Sequence, residues 1–169
     1  MATKPQLLYW DSSVILSYFN AHPDRLPILE AILDDISKSG RSKKIVTSTI
    51  AKVEVAFVEV ERLRNRLRPG VEQSINDFWS DNSVIELVEV HAEIADIART
   101  MIRGGIPRGW RLKTADAIHL ATAKWVGAIE LQTYDLPHFQ RYAPEIGMEI
   151  REPRTLQPRV VDTEHSSDT

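Results

Sequence analysis

The stretch Leu7-Leu8-Tyr9-Trp10-Asp11-Ser12-Ser13-Val14-Ile15-Leu16 reads as a short buried strand that stops on a carboxylate, with a helix starting immediately after it. The apolar run ends at Asp11, two hydroxyl residues follow, and apolar residues resume at helical spacing. In open α/β sheets, ligands sit outside the carboxyl ends of strands where the strand order reverses. An acid delivered to that edge is a natural ligand for a metal ion or a substrate. The competing reading is helix capping, because Asp and Ser are both preferred N-caps. Within this stretch the two readings stand level, and the rest of the chain must decide between them.

Downstream, strands alternate with helical patterns. Leu26, Ile28, Leu29, Ile32, Leu33 and Ile36 mark an amphipathic helix closed near Gly40, and Lys44–Thr47 follows as a second strand. From Ser48 the spacing of Val53, Phe57, Val60, Arg64 and Leu67 predicts one long helix ending at Pro69-Gly70. A further helix runs from Val71 to Trp79, a third strand covers Val84–Val88, and His91–Arg103 is helical again. After a loop over residues 106–111, an alanine-rich helix covers Leu112–Val126. Ile129–Gln132 is the fourth strand and Met148–Ile150 the last. This alternation favours an α/β fold with a parallel sheet, in one domain over residues 1–150. Residues 151–169 turn polar and proline-containing, as expected of a mobile C-terminal tail.

Bulk properties narrow the function. The 169 residues are 43% hydrophobic and 27% charged, ordinary values for a globular protein, and no cysteine is present, so disulfides and thiolate metal sites are excluded. The apolar run before Asp11 is too short for a signal peptide, and nothing approaches the roughly 20 apolar residues of a membrane span. A cytoplasmic protein with no membrane association is the expectation. The net charge of −3 offers no bulk attraction for nucleic acid, so a polyanion would have to bind through a local basic patch or through metal ions.

Four carboxylates stand out by position. Asp11 follows the first strand, and Asp135 follows the fourth with Thr133 two residues before it. Glu54 and Asp116 lie in the first or second turn of their helices. In a doubly wound sheet of order 3-2-1-4-5, Asp11 and Asp135 meet at the switch point, and helix starts at the same edge add Glu54 and Asp116. Like charges so close repel and raise one another's pKa, so such a cluster needs a counter-ion. Oxygen ligands without cysteine favour Mg²⁺ or Mn²⁺ over Zn²⁺. Ions of that kind activate water and stabilise the attacking and leaving oxygens of phosphodiester displacement.

The same segments resemble the PIN-domain ribonucleases. Tyr9–Leu16 is similar to that family's opening motif, and Ser48–Glu54 to the segment carrying its glutamate. Leu112–Ala123 resembles its third motif, an aspartate leading an alanine-rich helix, and Gln132–Asp135 with Phe139 its fourth. The resemblance extends from residue 6 to about residue 150. It implies a PIN-like sheet of order 3-2-1-4-5 with helices on both faces, and a divalent-metal-dependent endoribonuclease that uses Mg²⁺ or Mn²⁺. Asp11, Glu54, Asp116 and Asp135 would be catalytic metal ligands, with Ser13 and Thr133 orienting them. Resemblance to VapC-type toxins further implies a homodimer inhibited by a small antitoxin protein. PIN proteins without an antitoxin, and catalytically silent PIN scaffolds, are the alternatives. An aspartyl-phosphate phosphatase is disfavoured because position 13 is serine, where a second aspartate is usual.

Among other residues, Arg108, Arg111 and Lys113 precede Asp116 closely and are candidates for positioning RNA phosphates. Arg62, Arg64, Arg66 and Arg68 spread around a helix end and read as solvated charge. Trp110 reads as a loop anchor and His119 as a histidine at the core edge. With three distant acids to join it, Asp11 is assigned as a ligand, and the capping role falls to Ser12 or Ser13.

Overall fold

The structure, a computed structural model, describes residues 4–155. Five strands form one sheet: β1 (Gln6–Trp10), β2 (Lys43–Ser48), β3 (Ile85–Val88), β4 (Glu130–Gln132) and β5 (Glu149–Arg151). Their order is β3-β2-β1-β4-β5, and every pairing is parallel, as a doubly wound sheet requires. The helices are α1 (Ser12–Phe19), α2 (Leu26–Lys38), α3 (Ala51–Glu54), α4 (Glu59–Arg64), α5 (Val71–Ser80), α6 (Ala92–Gly105), α7 (Thr114–Val126), α8 (Leu136–Phe139) and α9 (Ala143–Ile146).

Strand β1 lies between β2 and β4 and sets the two faces of the sheet. Side chains alternate along a strand, so Leu8 and Trp10 enter a core with Val14, Ile15, Leu29, Ile32 and Trp79. Leu7 and Tyr9 enter the opposite core with Met101, Leu120, Leu131 and Phe139. A third cluster (Ile94, Ala98, Ala117 and Ala121) seats α6 on α7, where the alanines permit close approach. Gly127, at φ 66°, ends α7 in the left-handed conformation and lets the chain turn into β4. Gly105 allows a close crossing, since a Cβ there would come within 3.2 Å of the Trp110 Cβ. Trp110 itself stacks edge-on against Tyr142, as a loop anchor should.

The largest departure from the sequence reading lies between Ser48 and Gly70. The expected long helix is two short ones, α3 and α4, separated at Val55–Val58. Val53, Val55, Phe57 and Val58 are weak helix formers. The Glu61 carboxylate accepts from the backbone N–H groups of Val58 (3.1 Å) and Arg68 (2.6 Å), which fixes the non-helical segments on both sides of α4. Asn65 then ends α4 in the left-handed conformation. Strand β5 also runs one residue later than expected: Arg151 pairs with Gln132, so it belongs to the sheet and not to the tail. The remainder of the expected tail lies mostly outside the described residues.

Within the buried part of one sheet face, Trp10 Nε1 donates to Gln132 Oε1 at 2.6 Å, and Gln132 in turn donates to Glu130. Glu130 is also paired with Arg151. This polar ladder joins β1, β4 and β5 through side chains on one face, and nothing in the sequence pattern announced it.

Candidate active site

The strand order reverses between β1 and β4, and both strands end on acidic segments. The Asp11 N–H donates to the Gln132 carbonyl at 3.3 Å, extending the pairing beyond β1 and placing Asp11 at the crevice. Asp11 is only 3% exposed. Its Oδ1 accepts from the Ser13 hydroxyl at 2.6 Å and from the Val14 N–H at 3.3 Å, and its Oδ2 accepts from the Thr133 hydroxyl at 2.7 Å. The bond from Val14 makes Asp11 the N-cap of α1. That corrects the assignment of the cap to Ser12 or Ser13: those residues occupy the first turn, and one carboxylate both caps the helix and lies at the crevice. Burial pushes the Asp11 carboxyl above its ordinary pKa, against the opposing influence of His119 and of its hydrogen-bond donors.

Ser13 and Thr133 do more than touch Asp11. The Ser13 hydroxyl accepts from the Tyr134 N–H at 2.9 Å, and the Thr133 hydroxyl accepts from the Asp135 N–H at 2.9 Å. The two hydroxyls therefore tie the start of α1 to the segment after β4, and with it Asp135 to Asp11. Asp135 opens α8 with its side chain 46% exposed, 3.7 Å from His138.

Glu54, the last residue of α3, is partly exposed. Its Oε2 accepts from the Ser12 hydroxyl at 2.5 Å and lies 2.7 Å from His119 Nε2. Burial acts to raise its pKa, but the hydrogen bonds from His119 and Ser12, with the charge His119 carries when protonated, outweigh it and hold the carboxyl below the ordinary range. Asp116 sits in the first turn of α7, half-buried. Burial raises its pKa, Lys113 opposes, and the charges of Asp135 and Glu54 push it up further. The α7 start, the α3 end and the loop after β4 thus bring the sequence-predicted carboxylates into one electrostatic neighbourhood.

The basic candidates separate. Lys113, exposed just before α7, acts directly on Asp116. Arg111 is exposed on the same approach. Arg108 is turned away: it pairs with Glu145 at 2.5 Å and stacks over Trp110. Two residues that the sequence did not assign to the site belong to its support. His119 is 2% exposed and contacts Glu54, and Tyr9 holds the far side of the His119 ring at 2.8 Å. The available signal was the helical spacing that sets His119 one turn after Asp116.

The donor set suits a hard divalent cation: carboxylate oxygens, two of them raising the pKa of a third, and no thiolate. Among the described residues, no group of three or more His, Asp or Glu side chains stands arranged to hold a metal ion.

A doubly wound parallel sheet with an acidic crevice at its switch point defines the class. Residues 8–143 match the PIN domain, and the chain belongs to the PIN-domain family, whose nucleases generally need divalent metal ions. Similar solved structures agree in fold. One is VapBC2 from Rickettsia felis bound to a promoter DNA fragment, with TM-score 0.63 and 16% identity, covering 89% of this chain and 100% of that one. Another is VapBC-1 from nontypeable Haemophilus influenzae, with TM-score 0.61 and 16% identity over 87% and 98% of the two chains. A third is Mycobacterium tuberculosis VapC20, described as a sarcin–ricin loop cleaving toxin, with TM-score 0.57 and 17% identity over 76% and 89%. No curated protein matches the sequence significantly. Among the described residues, no helix is long and apolar enough to cross a membrane.

Proposed function

We propose that this protein is a divalent-metal-dependent endoribonuclease that hydrolyses RNA phosphodiester bonds, acting as the toxin of a VapBC-type pair. The observation that carries the reading is the Asp11 carboxylate. It is buried at the sheet switch point, hydrogen-bonded on both oxygens and linked through Thr133 to the Asp135 backbone, and the charges of Asp135 and Glu54 act in turn on Asp116.

Asp11, Glu54, Asp116 and Asp135 would hold Mg²⁺ or Mn²⁺. The ion, when bound, supplies the positive charge that offsets the cluster and the developing charge of phosphodiester displacement. The protein's own residues do the rest. Ser13 and Thr133 keep the Asp11 oxygens in place, and Ser12 and His119 do the same for Glu54. Lys113, exposed and acting on Asp116, and Arg111, exposed two residues earlier in the chain, would draw a phosphate backbone toward an otherwise acidic edge. Hydrogen bonds to both oxygens of Asp11 favour a ligand over a nucleophile, which also speaks against an aspartyl-phosphate enzyme.

The partner reading is supported by the similar structures, which include VapBC and FitAB assemblies. A small antitoxin is the corresponding partner here. A second copy of the chain is the other, supported by Val53, Leu63 and Leu67, each at least 74% exposed along α3, α4 and the turn after it.

The decisive experiment is an RNA-cleavage assay in Mn²⁺ and in EDTA, run in parallel on wild type, Asp11→Asn and Asp116→Asn. Cleavage that needs Mn²⁺ and disappears in both variants supports the reading. Equal cleavage by all three would place the active site elsewhere, and accumulation of phosphoprotein would favour the phosphatase. Co-expression with the product of a small neighbouring reading frame separates a toxin from a nuclease that works alone.

A further inference from the structure

We propose that His119, held in turn by Tyr9, is a positioning residue that commits one oxygen of Glu54 to the protein, so that Glu54 meets a cation through its other oxygen alone. The inference rests on the metal-binding reading above and adds to it a part of the site that the sequence assigned to core packing.

Glu54 has little backbone to hold it. Helix α3 is four residues long, Glu54 is its last, and Val55 already leaves helical geometry at φ −96°, ψ 50°. Val53, immediately before it, is exposed and provides no packing. The carboxylate must therefore be fixed through its own contacts, and both of them fall on Oε2: the Ser12 hydroxyl at 2.5 Å and His119 Nε2 at 2.7 Å. Ser12 comes from α1 and His119 from α7, so two of the elements that carry other site acids hold Glu54 between them.

The ring's other nitrogen explains how it is aimed. The Glu54 carboxylate can only accept, so Nε2 carries the ring proton and donates to it. In the neutral ring Nδ1 then accepts from the Tyr9 hydroxyl, 2.8 Å away, whose oxygen accepts in turn from the Ser48 N–H at 3.1 Å. That second partner fixes tautomer and orientation together, a recurring device around metal ligands. At 2% exposure the ring itself cannot reach a substrate. The chain from the Ser48 backbone through Tyr9 and His119 to Glu54 thus transmits the rigidity of β1 and β2 to a side chain on a short, weakly held helix.

One consequence is ion selectivity. Ca²⁺ takes six to eight oxygens and often both oxygens of one carboxylate, whereas Mg²⁺ needs near-octahedral geometry from single oxygens and water. A Glu54 with Oε2 already engaged is suited to the smaller ions.

The test uses the full chain. Long-range ¹H–¹⁵N spectra of the histidine-labelled, metal-free protein should show His119 with its proton on Nε2; a proton on Nδ1 alone would overturn the proposal. Calorimetric titration with Mn²⁺ and with Ca²⁺ then compares wild type, His119→Leu, His119→Gln and Tyr9→Phe. Losing this contact should weaken Mn²⁺ binding about 10- to 100-fold in His119→Leu and narrow the preference for Mn²⁺ over Ca²⁺. Tyr9→Phe should lose less, and His119→Gln, whose amide can still donate to Glu54, should recover part of the affinity. A purely structural role would lower the melting temperature of all three without that recovery. If folded His119→Leu binds Mn²⁺ as wild type does, the positioning role is overturned and the metal reading stands. If wild type takes up no Mn²⁺, the metal reading itself falls. Should His119→Leu fail to fold, the wild-type tautomer and Tyr9→Phe decide.

Discussion

The two halves of the acidic cleft are built differently. On the β1 side, Asp11 and Glu54 have their oxygens held by Ser13, Thr133, Val14, Ser12 and His119. On the α7 and α8 side, Asp116 has no side-chain hydrogen bond among the described residues, and Asp135 stands nearly half exposed with only His138 at 3.7 Å. The first half is assembled by the fold itself. The second is a pair of carboxylates in which burial, with the charge of Asp135 beside it, pushes Asp116 toward protonation, and which a cation would reconcile. Preorganisation on one side and openness on the other is what a site needs if it is to hold an ion firmly and still admit a phosphate backbone.

The largest effects should come from removing one acid in each half. Asp11→Asn and Asp116→Asn should each lower RNA cleavage by about 10²–10³-fold, the scale of losing one electrostatic contact to a reacting centre. Their effect on Mn²⁺ uptake should be parallel. Wild type should gain about 2.7 kcal/mol of stability at a hundredfold excess of Mn²⁺ over its dissociation constant, read as a shift in urea midpoint, and Asp116→Asn should gain far less. Without metal, however, Asp116→Asn should be at least as stable as wild type, since it replaces a carboxylate whose ionisation the fold disfavours, whereas Asp11→Asn also turns one buried acceptor for Ser13 or Thr133 into a donor. A metal-free Asp116→Asn that unfolds more easily than wild type would break the contrast.

Next in size is the hydroxyl that joins the halves. Thr133→Val removes a donor to Asp11 and the acceptor for the Asp135 N–H while keeping the shape of the side chain. Cleavage should fall about 10- to 100-fold, as for other groups that orient metal ligands. Stability should fall by about 1–3 kcal/mol for the buried group left unpaired. If Asp135 were positioned independently of β1, Thr133→Val would disturb Asp11 alone, and Mn²⁺ affinity would drop no further than in Ser13→Ala.

Why some of this was legible from the sequence and some was not is clearest in particular residues. The parallel-sheet class follows from alternation, and the interest of the four acids from the rule that crevices open at strand C-termini, whereas the strand order came with the resemblance to PIN-domain ribonucleases. The helix break after Glu54 was not legible, because periodicity counts faces whereas the break depends on Glu61 reaching two backbone N–H groups up to seven residues away. The N-cap was misplaced because Asp and Ser are equally good caps, and only the Val14 bond distinguishes them. Tyr9 and His119 meet across 110 residues, and their contact exists only once β1 and α7 pack. Supporting residues are long-range by nature, so a single sequence shows the acids and conceals what holds them.

Protonation cuts across the two halves, by a smaller margin, because one raised carboxyl lies in each. In the metal-free protein the raised Asp11 and Asp116 carboxyls bind protons more readily folded than unfolded. Stability should therefore decline as pH rises from the ordinary carboxylate range, about pH 4, toward their folded values, and level off above them. Glu54, held low, works in the opposite sense, its contribution being lost as pH falls from the ordinary range through its depressed value. Urea unfolding across pH should thus show a falling limb that Asp11→Asn shortens. An unchanged limb in that variant would mean that the Asp11 environment tolerates the charge.

The smallest expected effects test whether the open half is also the side from which RNA approaches. Lys113 is exposed next to Asp116, whereas Arg108 is tied to Glu145 and Trp110, away from the carboxylates. Lys113→Ala should weaken RNA binding a few-fold and reduce the magnitude of the salt dependence by about one phosphate contact. Arg108→Ala should leave both nearly unchanged and cost at most about 1 kcal/mol of stability, the usual range for an exposed ion pair. The comparison must be made as a slope of log affinity against log salt, because a general loss of positive charge would shift both variants alike, while a contact at the cleft changes the slope for Lys113 only. Equal slopes for the two would mean that the backbone enters past α9, and the open pair Asp116 and Asp135 would then face the far end of the substrate's path.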